Sequence, residues 1–311
     1  MLLILTIEQN RCKIYTIQST STLKGRNKIM RNARLCLGTS ASFDLPVKEQ
    51  LLLFKKTGFD GFFTEFEFSD TNEMKIIADS EGLIYQSVHA PYTISADMWQ
   101  TGEKADSAVD TLYACLEACA ENKVPIMVVH AFIGFDEHNP TDIGVENYGK
   151  VVNRAKELGI KVALENTEGE EYLAYLMDAF KGMDHVGFCL DTGHEMCYNR
   201  SKDMLSLYGD RLICTHINDN LGILDYSGEK IFWTDDLHLL PFDGIADWQD
   251  IAKRIVRTGY SGELTFELTR NSKPNRHEND KYRKMSPEEY ITEVFIRACK
   301  VASLIERERR G

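Results

Sequence analysis

Residues 160–191, IKVALENTEGEEYLAYLMDAFKGMDHVGFCLD, decide the fold class of this chain. Residues 160–165 and 185–191 are short and almost continuously apolar, which is typical of strands that are buried on both faces. The apolar spacing between them predicts a helix over residues 171–180. A strand, a crossover helix and a second strand place the two strands parallel in one sheet, so this stretch is one β–α–β unit.

The same alternation extends in both directions and predicts eight β–α units. Strands are expected at residues 34–38, 60–66, 83–89, 124–130, 160–165, 185–191, 212–217 and 263–268, and helices at residues 47–56, 72–81, 103–122, 143–158, 171–180, 202–208, 248–258 and 287–307. Residues 31–311 are therefore predicted to form a single-domain α/β protein, a closed (β/α)8 TIM barrel. An open doubly wound sheet is the alternative, but the turn GTSASFD at residues 38–44 lacks the glycine-rich phosphate loop of such sheets.

The composition suits a cytoplasmic enzyme that acts on small metabolites. The chain has 311 residues, 43% of them hydrophobic, and a formal net charge of −12. This acidity disfavours a nucleic-acid partner, because phosphate neutralisation needs clustered Lys and Arg. No stretch has the roughly 20 apolar residues that a membrane span needs. The eight cysteines include no C-x-x-C pair, so reduced, packed thiols are expected.

Residues 1–30 fit poorly with the β–α alternation. Their opening run, MLLILTI, is short and has no preceding basic region, unlike a signal peptide. We expect an N-terminal extension outside the barrel, either disordered or the result of a wrongly assigned start.

Side chains that can bind a divalent metal follow most of the predicted strands. They are His89, His130, Glu165, Asp191, His194, His216, Asp236, His238 and Glu267. The C-terminal strand ends of such a barrel meet at one mouth, and imidazole and carboxylate groups bind catalytic divalent ions. An unpaired charge at Glu165 or Glu267 would be unfavourable beside such apolar strands. Each histidine alone could instead be a hydrogen-bonded framework residue, and Asp191 could cap the turn that follows it.

Seven motifs in this order resemble the xylose isomerase-like barrel superfamily: SVHAPY, VVHAFIG, ALENTEG, FCLDTGH, HINDN, DDLHLLPFDG and LTFEL. The superfamily includes sugar-phosphate isomerases and epimerases, inosose dehydratases, ketose 3-epimerases and family 2 apurinic endonucleases. For the epimerase branch the resemblance implies one ion, Mn²⁺ or Zn²⁺ with Mg²⁺ or Co²⁺ as alternatives, held by Glu165, Asp191, His216 and Glu267. It also implies that Glu165 and Glu267 act as the acid/base pair together with His194, and that the substrate contacts are His89, His130, His194 and Asn218. For the endonuclease branch it implies three Zn²⁺ ions on all nine positions.

The implied activity is a metal-dependent sugar or sugar-phosphate isomerase or epimerase of carbohydrate metabolism that works through an enediolate. A dehydratase or lyase acting on a keto-sugar or keto-inositol would use the same site. An apurinic-type endonuclease is a further alternative, although Leu237 stands where those enzymes carry Arg, and the segment LLPFDG after His238 resembles sugar isomerase-like members more. An inactive binding barrel is the last alternative. The resemblance also allows a homo-oligomer and implies no membrane partner.

The size and charge of the substrate are left open by the sequence. The segment after the eighth strand is basic, with Arg270, Lys273, Arg276, Lys281, Arg283 and Lys284. It would favour a phosphorylated or carboxylated sugar if it overhangs the mouth, but a solvated polar loop explains it equally. Trp99, Trp233 and Phe242 are candidates for stacking on a sugar or for anchoring loops.

Overall fold

The computed structural model describes residues 33–136, 138–225 and 230–311, together with the backbone of three strands before residue 33. Eight parallel strands follow one another around a barrel: β1 (Leu35–Gly38), β2 (Gly61–Glu65), β3 (Ile84–His89), β4 (Ile126–His130), β5 (Lys161–Glu165), β6 (Val186–Asp191), β7 (Leu212–His216) and β8 (Leu264–Phe266). Strand β8 pairs with β1, and a parallel bridge between Ile217 and Phe266 joins it to the end of β7. The predicted TIM barrel is thereby confirmed.

Helices cover the outside of the barrel. They are α1 (Val47–Thr57), α2 (Thr71–Glu81), α3 (Glu103–Glu121), α4 (Asp142–Leu158), α5 (Glu170–Ala179), α6 (Thr192–Met196), α7 (Met204–Tyr208), α8 (Trp248–Arg257), α9 (Asp280–Arg283) and α10 (Pro287–Glu308). Their ends follow local sequence signals. Helix α10 begins with a capping box in which Ser286 and Glu289 bond each other's backbone N–H groups. Helix α1 ends at Gly58 in the left-handed conformation.

The two-residue alternation of each strand determines which side chains reach the site. Along β5, Val162 and Leu164 point outward into the large core between sheet and helices. Ala163 points inward, where it packs in a small apolar cluster with Cys189 and Cys214. Glu165 has the same parity as Ala163, so the strand itself directs this carboxylate into the barrel.

The structure adds features that the sequence did not predict. Helix α6 follows β6 directly, and Glu267 lies one residue beyond the end of β8. The seven cysteines in the described part of the chain are free and buried. Among the helices of the described residues, none has the length and apolar character needed to cross a membrane.

The backbone before residue 33 contains three antiparallel strands, Leu2–Glu8, Arg11–Ile17 and Ile29–Met30, in a sheet of their own. The rest of residues 1–30, including every side chain, lies outside the described part of the chain. The expectation of an extension over residues 1–30 therefore stays a prediction.

Candidate metal centre

Glu165, at the end of β5, is the centre of the site. Its carboxylate is completely buried among histidines. Oε2 lies 3.2 Å from Nε2 of His89 and 3.5 Å from Nε2 of His130, and Oε1 lies 3.0 Å from Nδ1 of His216. No Lys or Arg among the described residues pairs with Glu165, so imidazoles alone provide the charge that balances it.

Four of the nine candidate residues form what we call the strand-borne group. Donor atoms of Glu165, Asp191, His216 and Glu267 all lie within 4.8 Å of one another. Nδ1 of His216 is 3.2 Å from Oε2 of Glu267. Each of these residues ends a barrel strand or lies one residue past it, so strand register determines where the backbone of the group lies.

Three further candidates lie beyond the strand ends: His194 on the short helix α6, and Asp236 and His238 on the loop after β7. We call these three residues the loop-borne group. Donor atoms of His194, Asp236 and His238 also lie within 4.8 Å of one another. Nε2 of His238 is 2.8 Å from Oδ2 of Asp236, and Nε2 of His194 is 3.5 Å from Oδ1 of the same carboxylate. The fold therefore assembles a second set of nitrogen and oxygen donors beside the first.

Mutual electrostatics shift the titration of both groups. Burial would raise the pKa of Glu267, but His216 and His238 lower it to about 2. Burial opposes protonation of His238, yet Asp236 and Glu267 raise its pKa to about 9. Burial also raises the pKa of Asp191 to about 6, against the opposite effect of His194. Glu267 and His238 thus stabilise each other's charged forms, as a carboxylate and an imidazolium placed close together do.

The donor set fits a divalent metal ion. Imidazole nitrogen and carboxylate oxygen together suit Zn²⁺ and Mn²⁺, and the strand-borne group offers four such donors within one ion's reach. Oδ1 of Asp236 is buried and has only the 3.5 Å contact with His194, which falls short of hydrogen-bond geometry, so a ligand at this atom would be favourable. Both observations favour metal binding at this mouth.

A pocket of about 300 Å³ opens above the donors. Its floor is formed by His89, His130, His194, His238 and Glu267, and its rim by Tyr92, Phe135, Tyr198 and Trp233. Three rim side chains keep 41% (Tyr92), 43% (Phe135) and 54% (Trp233) of their surface exposed. An apolar rim above a polar floor is typical of a site for a small polar molecule.

Two acidic residues of the pocket were missed by the sequence reasoning. Glu65 is the last residue of β2 and lines the pocket. Its carboxylate makes no hydrogen bond or ion pair with any described residue, and burial raises its pKa against the effect of His89. Glu168 lines the opposite wall and accepts the Gly134 N–H at 3.0 Å. The sequence signal for Glu65 was present, since it follows the apolar run GFF.

Asn218 lies behind the site rather than in the pocket. Its side chain is fully buried, and its amide donates to Oδ2 of Asp191 at 2.8 Å. A side chain at Gly193 would approach the Asn218 amide oxygen to 1.9 Å, so the glycine allows this contact. This placement indicates that Asn218 orients the Asp191 carboxylate. It disfavours the direct substrate contact that the resemblance implied for Asn218.

The aromatic candidates separate into two kinds. Trp99 is buried, and its indole N–H donates to the Ala131 carbonyl at 2.7 Å, so it anchors a loop. Phe242 packs against Trp248. Trp233 alone of the three candidates is among the described residues that line the pocket.

Most of the basic segment after β8 serves the framework. Arg270 is buried and donates to the carbonyls of Phe43 and Met285 at 3.1 and 2.7 Å. Arg276, Lys281 and Arg283 form ion pairs with Glu278, Asp243 and Asp44 respectively. Only Lys273 of the six candidates is among the described residues that line the pocket, and its ammonium lies 3.4 Å from Asp236. The polar-loop interpretation is therefore the better one.

Residues 51–287 match the xylose isomerase-like TIM barrel family, and the chain belongs to this family. The uncharacterized protein y4fM of Sinorhizobium fredii is 33% identical over 178 residues, which are 52% of each chain. The probable endonuclease 4 of Mycoplasma mycoides is 28% identical over 179 residues, 49% of this chain and 57% of the relative. The chain thus spans about half the length of the curated relatives that it matches.

Solved structures share the fold at low identity. The IolI protein with a bound zinc atom superimposes with a TM-score of 0.69 at 18% identity, covering 87% of this chain and 98% of its own. An L-ribulose 3-epimerase reaches 0.64 at 17% identity, with coverages of 89% and 96%. The 3-keto-D-glucoside 4-epimerase YcjR of E. coli reaches 0.58 at 19%, with coverages of 82% and 100%. Identities this low establish a common fold only.

Proposed function

We propose that this protein is a divalent-metal-dependent isomerase or epimerase that acts on a sugar through an enediolate. One observation carries the proposal: four metal donors converge beside a pocket of about 300 Å³. The L-ribulose 3-epimerase that shares the fold supports the substrate class.

The proposed chemistry begins with a proton next to the substrate's carbonyl group. An ion held by Glu165, Asp191, His216 and Glu267 would polarise that carbonyl and stabilise negative charge on oxygen. Glu267 is the strand-borne donor that lines the pocket, so its carboxylate is placed to take the proton from the substrate. In an isomerase, protonated Glu267 returns the proton to the neighbouring carbon. In an epimerase, the conjugate acid of Glu165 would protonate the opposite face of the same carbon, and exchange with solvent would restore both carboxyl groups.

The roles of Glu165 and Glu267 are unequal in this proposal. Glu165 is completely buried, with His89 and His216 at its two oxygens, so its main role is to bind the ion. Glu65 is free of protein partners among the described residues and lines the pocket, which suits contact with a substrate hydroxyl. We therefore add Glu65 to the groups that handle the substrate.

The charge of the pocket favours an uncharged sugar over a sugar phosphate. Apart from its histidines, of which His194 and His238 are paired with Asp236, its wall carries the carboxylates of Glu65, Glu168, Asp236 and Glu267 against one ammonium group, that of Lys273. Lys273 is moreover close to Asp236, at 3.4 Å. A phosphate would therefore meet mainly like charge unless further ions were bound.

A second candidate is phosphodiester hydrolysis by a trinuclear zinc site. It is favoured by the loop-borne group, which adds donors that a single-ion epimerase would not need. The 28% identity to a probable endonuclease 4 of Mycoplasma mycoides points the same way.

Solvent exchange in D₂O tests the proposal. Metal-loaded protein is incubated with L-ribulose, D-allulose or a keto-inositol, and deuterium incorporation at carbon is followed by proton NMR. We expect exchange that a chelator and Glu267→Gln each abolish, while Glu67→Gln, an exposed glutamate, leaves it intact. Loss of water from the product would indicate the dehydratase. Nicking of abasic DNA without any exchange would replace the proposal by the endonuclease.

A further inference from the structure

The loop between β7 and α8 carries two of the three loop-borne donors, Asp236 and His238. Its described residues contain little regular structure beyond the short turn Trp233–Asp235. Because no regular secondary structure fixes these two donors, other contacts must hold them beside the strand-borne group.

Asp219 lies near the start of this loop, and its side chain is completely buried. Its Oδ1 accepts the backbone N–H groups of Asn220 and Ala246 at 2.9 and 3.1 Å. Its Oδ2 accepts the Phe242 N–H at 2.8 Å and the Trp248 indole N–H at 3.1 Å. No cationic side chain in the described part of the chain pairs with it, so N–H donors alone stabilise its charge.

The backbone of Asp219 holds the donor segment directly. Its N–H donates to the Leu239 carbonyl at 2.8 Å, and its carbonyl accepts the Leu239 N–H at 2.9 Å. Leu239 immediately follows His238. The neighbouring Asn220 donates its side-chain amide to the Asp235 carbonyl at 2.9 Å, one residue before Asp236.

The loop packs closely around the Asp219 carboxylate. A Cβ atom at Gly244 would lie 2.2 Å from Oδ1 of Asp219, so only glycine allows the loop to close around the carboxylate. Asp219 itself is three residues after His216 of the strand-borne group. One side chain thus connects the end of β7, the donor segment and the start of α8.

We propose that Asp219 is a positioning residue that fixes Asp236 and His238 relative to the strand-borne group. The inference rests on the proposed metal site. Loss of the Asp219 carboxylate releases the loop-borne donors, while the strand-borne donors keep the positions that the barrel register determines.

The test compares two isosteric variants by metal titration of the full chain. In Asp219→Asn one acceptor oxygen becomes an NH₂ group that opposes the N–H donors. We expect affinity for Co²⁺ at the loop-borne group to fall about 10- to 100-fold, as for the loss of supporting contacts to metal ligands, with the strand-borne group unchanged. Asp247→Asn is the matched control, because Asp247 also accepts backbone N–H groups, from Gln249 and Asp250 at 3.0 Å each, but holds only the start of α8.

Visible absorption of Co²⁺ and calorimetry count the ions and their affinities. A selective loss in Asp219→Asn that is absent in Asp247→Asn supports the proposal. An equal loss of Co²⁺ affinity at both groups in Asp219→Asn, or wild-type affinity at both groups, overturns the proposal.

Hydrogen exchange provides a second measurement that needs neither metal nor substrate. Asp219→Asn and the milder Trp248→Phe should increase exchange in residues 236–246 and leave β1 to β4 unchanged. Unaltered protection of residues 236–246 in Asp219→Asn would show that the Asp219 carboxylate does not hold this segment, and would overturn the proposal. If the wild-type protein binds no ion at all, the proposed function fails; if it binds an ion only at the strand-borne group, the proposed function stands. In both cases hydrogen exchange decides whether Asp219 holds residues 236–246.

Discussion

The strand-borne and loop-borne groups differ in what holds their donors. Glu165, Asp191 and His216 end strands whose parallel ladder determines their backbone positions. Asp236 and His238 lie on a loop that is held by the hydrogen bonds of Asp219. One donor set therefore follows from the barrel itself, whereas the other depends on a few side chains. Substitutions in the loop can therefore change the positions of Asp236 and His238 without changing those of the strand-borne donors.

Glu165→Gln is expected to have the largest effect, because Glu165 is the residue on which the strand-borne group converges. An amide binds a divalent ion far more weakly than a carboxylate, and its NH₂ group would face His89 or His216. We expect the strand-borne ion to be lost and solvent exchange to fall by at least about 10³-fold. Elemental analysis and NMR exchange measure the two effects. Full metal content in this variant would refute the central role of Glu165.

Glu67→Gln is the control for that experiment, since Glu67 is an exposed glutamate in the turn after β2. It should keep wild-type metal content. If the wild-type protein also binds an ion at the loop-borne group, retention of that ion in Glu165→Gln would show that the two groups bind independently.

The four residues of the strand-borne group could be selected from the sequence for a physical reason. A carboxylate that closes a buried strand is costly unless it has a partner, so Glu165 and Glu267 were conspicuous. Glu65 carried the same signal, but the predicted second strand ran to residue 66 and concealed Glu65 inside it. The observed strand ends at Glu65. An error of one residue at a strand end was enough to hide a member of the pocket.

The support of the loop-borne group was not predictable in the same way. Asp236 and His238 were identified through their motif, but nothing in the spacing indicates what holds them. Asp219 accepts N–H groups from residues up to 29 positions away, contacts that only the folded loop creates. The same limit applies to Asn218 and Trp99, whose burial depends on neighbours distant in sequence.

Glu65→Gln is expected to have the next largest effect and separates substrate handling from metal binding. Glu65 belongs to neither donor group but lines the pocket above both. We expect the metal content to stay at the wild-type value, and kcat for solvent exchange to fall about 10²-fold, because a neutral amide cannot take a proton from a substrate hydroxyl. Elemental analysis and exchange kinetics test this against Glu67→Gln. Loss of metal from Glu65→Gln would instead make Glu65 a ligand.

The smallest effect is expected at Asp243, which anchors the outer side of the same loop. Its carboxylate accepts the Tyr282 hydroxyl and lies 2.9 Å from the Lys281 ammonium and 3.1 Å from the Arg297 guanidinium. Burial alone would raise the pKa of Asp243, but Tyr282, Lys281 and Arg297 hold it below its ordinary value. Asp243 thus fastens the loop to α9 and α10 by charge, whereas Asp219 holds the donor segment by N–H groups.

Because the folded pKa is lowered, the stabilisation by Asp243 is complete above the unfolded pKa and disappears as the pH falls through the folded value. Asp243→Asn should therefore reduce the free energy of unfolding by about 1 kcal/mol at pH 7, a modest figure for a partly solvated pair, and by progressively less below pH 4. Urea unfolding across this pH range measures the difference. Asp250→Asn, which breaks an exposed pair with Arg254, should have a smaller effect at pH 7. If Asp243→Asn lost the same free energy of unfolding at every pH, packing and not charge would hold this side of the loop. The contrast between a charge-paired Asp243 and an N–H-bonded Asp219 would then disappear.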